Sequence, residues 1–263
     1  MSFRALRRAV TLGFVLIFSL FLAILSRLTG PDTVERRVAW NHFCAKMAVK
    51  ILGIRMKVTG TPPSSGLLVS NHISYLEVLV FGAALKCALV SKAEISRWPF
   101  FGALARSGGT LFVDRSSRAS AEAVTEQIAE RLRGTVPVLF FPEGTSTDGR
   151  TLLRFHSRLF TPAVEASIPV TAASVRYIPD DGSPEETLCW YGDQKFLPHV
   201  WRTLGGPDFT AEVQFGEPKI YTHRRIAANA THDEIEAMRA TCGGADARGG
   251  LALAACGEGA DTR

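Results

Sequence analysis

Hydrophobic residues fall along this chain in three kinds of run, and each kind predicts a different element. The first is long. Residues 9–25 are apolar apart from Thr11, Gly13 and Ser19, and no charge appears before Arg27. The run is apolar all round, so its pattern suggests no soluble partner. Crossing a bilayer takes about 17 to 25 such residues, which puts this run at the lower limit. Arg4, Arg7 and Arg8 precede it. A cleaved signal peptide shares that layout, but this run is longer than a usual signal core and no small-residue cleavage site follows closely. Residues 1–33 are therefore read as a membrane segment.

The second kind is amphipathic. Val38, Trp40, Phe43, Ala45, Met47, Ala48, Ile51 and Leu52 recur near the helical period, with Arg36, Arg37, Lys46 and Lys50 between them. This predicts a helix over 34–52, lying on a membrane or packed on the core. The third kind is short and continuous. Residues 66–70, 87–91, 110–113, 136–141 and 169–175 read as strands, and 187–191 and 211–215 as later ones. Helical stretches at 76–85, 120–133 and 159–166 separate several of them. Continuous apolar strands alternating with helices predict an α/β domain over 34–242, with a mainly parallel sheet flanked by helices. Residues 243–263 are Gly- and Ala-rich without apolar periodicity and read as a disordered tail.

Composition changes this picture little. Hydrophobic residues make up 46% of the chain, which excludes disorder as its class. The net charge of +5 suits nucleic acid, an anionic membrane or an anionic substrate. No Arg/Lys cluster interleaved with aromatics appears, which disfavours nucleic acid. The five cysteines are scattered and form no C-x-x-C pair, so neither a disulfide framework nor a metal site is expected. That usage suits a reducing compartment. A basic start predicts a cytoplasmic N-terminus, and one full span would then carry the domain outside. An in-plane or re-entrant helix at the inner membrane, with the domain on the cytoplasmic side, avoids the conflict.

Candidate chemistry gathers where strands end, the edge at which parallel sheets bind ligands. Asn71-His72-Ile73-Ser74-Tyr75-Leu76-Glu77 follows the first strand. A carboxylate five residues after a histidine can hold one imidazole nitrogen across a turn and leave the other to accept a proton. Gly109-Thr110-Leu111-Phe112-Val113-Asp114-Arg115 brings an arginine whose planar fork suits an anionic oxygen. Phe141-Pro142-Glu143-Gly144-Thr145 opens a polar loop whose N–H and hydroxyl groups can hold an anion. Ile168-Pro169-Val170 opens a strand. Taken singly, each motif has an ordinary structural explanation.

In order, the four blocks resemble those of the glycerolipid acyltransferase family, most closely the bacterial 1-acylglycerol-3-phosphate acyltransferases. The resemblance covers about residues 34–220. It implies His72 as catalytic base with Glu77 behind it, Arg115, Glu143, Gly144 and Thr145 on the acceptor side, and Pro169 near the acyl-donor site. It implies no cofactor, with acyl-CoA or acyl carrier protein as co-substrate. The implied partners are membrane lipids and a lysophospholipid acceptor, with 1-acylglycerol-3-phosphate leading and lyso-ornithine lipid as the alternative. Two departures stand out. The family usually has Asp where Glu77 stands, so the pairing with His72 must be re-formed. It also often has Arg where Ser146 stands, leaving Arg150 or Lys92 to supply a cation. Trp190-Tyr191-Gly192-Asp193 with Pro198-His199 resembles acyltransferases for other lyso-lipids, and no catalytic role is given to them. A non-catalytic lipid-binding protein and a thioesterase are the rival readings. There is no G-x-S-x-G to support a serine hydrolase.

Overall fold

A computed structural model describes residues 2–28, 30–98, 101–113 and 118–243. Two helices come first. Helix α1 spans Phe3–Leu28 and α2 spans Val34–Leu52. Thr33 caps α2 by accepting the Arg36 N–H, and Gly53 ends it at φ +72°. A side chain at Gly53 would be strained at that φ and would collide with the Arg8–Asp208 ion pair.

The domain then follows as β1 (Ile54–Thr59), β2 (Leu67–Ser70), α3 (Leu76–Ala84), β3 (Ala88–Lys92), α4 (Phe101–Ser107), β4 (Leu111–Val113), α5 (Arg118–Leu132), β5 (Val138–Phe140), α6 (Thr161–Glu165), β6 (Val170–Pro179), α7 (Phe196–Gly205), β7 (Phe209–Phe215) and α8 (Arg224–Gly243). The seven strands form one sheet in the order β1-β7-β6-β2-β5-β3-β4. All neighbours run parallel except β6 and β7. This is the α/β architecture the sequence predicts. Every residue of β2 and β5 is buried, because helices cover both faces of the sheet.

The expected strand at 187–191 does not exist. Glu185–Thr187 form a 3₁₀ turn, and the chain runs on as a loop that packs over the segment following β2. Its apolar residues are buried as cover: Cys189 is fully enclosed, and the Trp190 N–H donates to the Ile73 carbonyl at 2.8 Å. Strand β1 and helices α4, α7 and α8 carry no expectation from the sequence. Gly243 closes α8, and the remainder of the expected disordered tail lies outside the described residues.

Helix α1 packs on α2, α4 and α7, and its two sides are inverted relative to a soluble helix. Ala5, Arg8, Leu16, Ser19 and Ala23 face the protein. Val10, Phe14, Ile17, Phe18, Phe21 and Ile24 are exposed. Arg8, one of the three arginines ahead of the apolar run, is buried. Its guanidinium pairs with Asp208 and donates to the carbonyls of Leu204 at 3.3 Å and Gly206 at 3.1 Å, at the end of α7.

Candidate active site

Strand β2 leaves the sheet at Asn71, whose side chain takes over the ladder. Its amide donates to the Val175 carbonyl at 3.1 Å and accepts the Val175 N–H at 2.9 Å, mimicking a backbone group on β6. The next residue, His72, is held on both sides of its backbone. Its N–H donates to Glu143 Oε1 at 2.7 Å, and its carbonyl accepts the Thr147 N–H at 3.0 Å. Its ring lies flat on Phe141, with centroids 4.4 Å apart and planes 15° from parallel. The backbone and one ring face are thereby fixed.

His72 Nδ1 lies 2.7 Å from Glu77 Oε2. Glu77 is fully buried in the first turn of α3, where the helix dipole favours a carboxylate. Oε2 also accepts the N–H groups of Ser74 at 2.8 Å and Ile73 at 3.3 Å, and Oε1 accepts the Tyr177 hydroxyl at 2.6 Å. A carboxylate in this setting can only accept, so Nδ1 carries the proton. Nε2 is left with its lone pair, and no described residue hydrogen-bonds it. The His72 side chain is 22% exposed, so this nitrogen can meet a substrate. The arrangement can serve as a general base with its orienting acid. The longer glutamate re-forms the histidine pairing.

The other expected residues sit differently. Arg115, with Asp114, lies outside the described residues. Glu143 was expected on the acceptor, but both its oxygens are spent on backbone: Oε1 on His72, and Oε2 on the Leu153 N–H at 2.9 Å. Burial pushes its carboxyl above the usual range, opposed by those two N–H groups. Gly144 turns the chain at φ +76°, and Thr145 is exposed beyond it. Arg150 is 73% exposed and pairs with Glu186 at 2.6 Å. Ser146 donates its hydroxyl to the Trp190 carbonyl at 2.5 Å. Lys92 ends β3 at the edge where His72 sits, and is exposed. Pro169 lies at the other edge. It precedes β6, and its carbonyl accepts the Leu67 N–H at the start of β2, a strand's length from His72. A cluster of possible metal ligands, His232, Asp233 and Glu236, lies on α8, apart from these residues.

Comparison with known proteins decides the family. An acyltransferase family model matches residues 55–176. The lyso-ornithine lipid O-acyltransferase of Pseudomonas aeruginosa is 33% identical over 217 residues, covering 81% of this chain and 83% of that protein. The chain belongs to the glycerolipid acyltransferase family. The 1-acyl-sn-glycerol-3-phosphate acyltransferase of Neisseria gonorrhoeae is 31% identical over 174 residues, covering 65% of this chain and 68% of that protein. In fold, the chain is similar to the crystal structure of the 1-acyl-sn-glycerophosphate acyltransferase of Thermotoga maritima. The TM-score is 0.61 at 16% identity, over 90% of this chain and 98% of that one.

For an acyltransferase the site holds parts that the motifs do not reveal. Tyr177 reaches Glu77 from β6, and Thr147 fixes His72. An aromatic wall stands beside the dyad: Tyr75, Trp98, Phe101 and Trp190 all pack on Phe196, with centroids 4.9 to 5.7 Å away. Behind it, buried His199 accepts the Tyr75 hydroxyl on Nδ1 at 3.2 Å and donates from Nε2 to the Cys189 carbonyl at 2.9 Å. Burial lowers its pKa, which favours this neutral form. Trp190 and His199 are thus engaged in packing and hydrogen bonds within the fold.

Proposed function

We propose that the protein moves a fatty acyl group from a CoA or acyl carrier protein thioester to the free hydroxyl of a lyso-lipid. The observation that carries this reading is the His72–Glu77 pair at 2.7 Å, with Nε2 left to take a proton. His72 removes the hydroxyl proton as that oxygen attacks the thioester carbonyl. Glu77 stabilises the imidazolium so formed. The tetrahedral intermediate then expels the thiolate, which takes the proton from Nε2. The acceptor oxygen is itself the nucleophile, so no acyl-enzyme is needed.

Lyso-ornithine lipid is the favoured acceptor, ahead of 1-acylglycerol-3-phosphate. A phosphate head group calls for cations that grip it bidentately. Ser146 stands where the family often has arginine, Arg150 is engaged by Glu186, and Lys92, exposed at the His72 edge, offers a point charge rather than a bidentate grip. The P. aeruginosa relative, which acts on lyso-ornithine lipid by its name, supports the same choice. The test is a competition between the two lyso-lipids for one labelled acyl thioester. A higher kcat/KM for lyso-ornithine lipid is expected, and a preference for 1-acylglycerol-3-phosphate would reverse the assignment.

The membrane placement rests on α1. Its outward row of Phe14, Ile17, Phe18, Phe21 and Ile24 suits lipid, while its inward face is fixed to α7 through Arg8. Spanning would drag α2, with Lys46 and Lys50, into the bilayer beside it, which supports a helix lying in the membrane plane. The scattered cysteines support the cytoplasmic side of the inner membrane. Replacing Phe14, Phe18 and Phe21 by serine should shift the protein from the membrane to the soluble fraction. It should leave turnover on detergent-dispersed acceptor near the parent rate. Unchanged fractionation would refute the placement.

A further inference from the structure

The sequence departs from its family at Glu77, and the structure shows what meets the longer side chain. A glutamate carboxylate has one more torsion than an aspartate's, and its last torsion is broad. Left alone, it could turn its oxygens away from His72. The Tyr177 hydroxyl donates to Oε1 at 2.6 Å, so the carboxylate is fixed at both oxygens. Tyr177 is itself immobilised. Its ring is 1% exposed and packs edge-on against Phe209 at 5.5 Å. Its N–H donates to Glu185 Oε1 at 2.7 Å. Two residues earlier, the Val175 carbonyl is gripped by both Asn71 and Arg239.

We propose that Tyr177 is a positioning residue for acyl transfer, one that adapts this site to a glutamate by holding Oε1 so that Oε2 faces His72 Nδ1. The proposal rests on His72 acting as the base. Burial and the Glu77 charge push the phenol well above its usual range, so it stays protonated and donates throughout the working pH range. Among the described residues, the titratable groups besides His72 and Tyr177 that interact with Glu77 are Glu143 after β5, Tyr75 at the head of α3 and Cys189 in the covering loop. Without its hydroxyl donor, the Glu77 carboxylate could turn from His72 and would hold an imidazolium less strongly. The acid limb of kcat/KM would then move to lower pH.

The experiment compares full-length Tyr177→Phe, Glu77→Gln, the double variant and His72→Ala, each checked for the parent's circular dichroism. Tyr177→Phe should lower kcat by about 10- to 100-fold, the worth of a hydrogen bond to a buried charge. Both KM values should stay within about twofold of the parent, and the acid limb should shift downward. In the Glu77→Gln background the same change should do almost nothing, because Tyr177 acts only through the charge at position 77. Parental kcat and pH profile in Tyr177→Phe, or full additivity in the double variant, would overturn the proposal while leaving the base intact. Near-parental rates in His72→Ala would instead remove the reading beneath it. Should Tyr177→Phe not fold, Glu77→Asp tests the same contact from the other side. The shortened carboxylate draws away from Tyr177 and should lose kcat, whereas a parental rate would overturn the proposal.

Discussion

The loop after β2 and the loop after β5 leave neighbouring strands at one sheet edge, yet they are built in opposite ways. Between Asn71 and Glu77 the polar groups turn inward. Asn71 replaces a ladder partner, His72 is held at its N–H, its carbonyl and one ring face, and Glu77 takes four donors. Between Gly144 and Arg150 they turn outward or onto each other. Thr145 is exposed, Ser146 reaches the Trp190 carbonyl, and Arg150 pairs with a surface glutamate. A general base needs one geometry, and several buried hydrogen bonds give it one. The second loop keeps one such tie, the Thr147 N–H to the His72 carbonyl, while Thr145, Ser146 and Arg150 make no hydrogen bond to His72.

Breaking the inward loop should have the largest effect. Glu77→Gln keeps the shape but loses the charge that stabilises the imidazolium. It should lower kcat by about 100- to 1,000-fold, with little change in KM. A parental rate would reduce Glu77 to a helix-start carboxylate.

Glu143 joins the two loops and should have an intermediate effect. Glutamine offers one acceptor oxygen for two N–H donors, so either His72 or Leu153 loses its partner. The variant should be less stable at pH 4 by about 1 kcal/mol, because the protonated acid's hydroxyl oxygen can still accept where the amide NH2 cannot. Glu143 titrates above its ordinary 4.5 in the folded state. Its contribution is therefore fully present below 4.5 and is lost as pH rises through the higher folded value. Glutamine has no such loss, so the stability gap between parent and variant should narrow toward neutral pH. Thermal melts of both proteins at pH 4 and 7 check the sign, and a gap that widens contradicts it.

The outward loop should yield least. Arg150→Ala removes an exposed pair worth about 0 to 1 kcal/mol. It should leave KM for lyso-ornithine lipid unchanged within about twofold. A large rise in KM would show that Arg150 leaves Glu186 to hold the acceptor, and would blur the contrast.

Legibility from sequence follows the same line. Helix α2 was readable end to end, because an amphipathic stretch carries its period locally and Thr33 and Gly53 mark its ends. His72 and Glu77 were readable because the pair is only five residues apart. Tyr177 was not, since its role depends on β6 lying beside β2, a contact across 100 residues. The apolar stretch at 187–191 misled because covering a site buries side chains as well as a sheet does. Strand β1 was passed over because Arg55 and Lys57 alternate with its apolar residues at the sheet edge. Glu143 was misplaced for a different reason: a motif position says which residue recurs, but not whether its oxygens meet substrate or backbone.

The most direct test of the central claim is acyl transfer by purified His72→Ala protein, measured from a labelled thioester with and without lyso-lipid acceptor. Loss of acceptor-dependent product by about 100- to 10,000-fold, in protein with the parent's melting temperature, is the predicted result. Transfer near the parent rate in that folded variant would contradict the account.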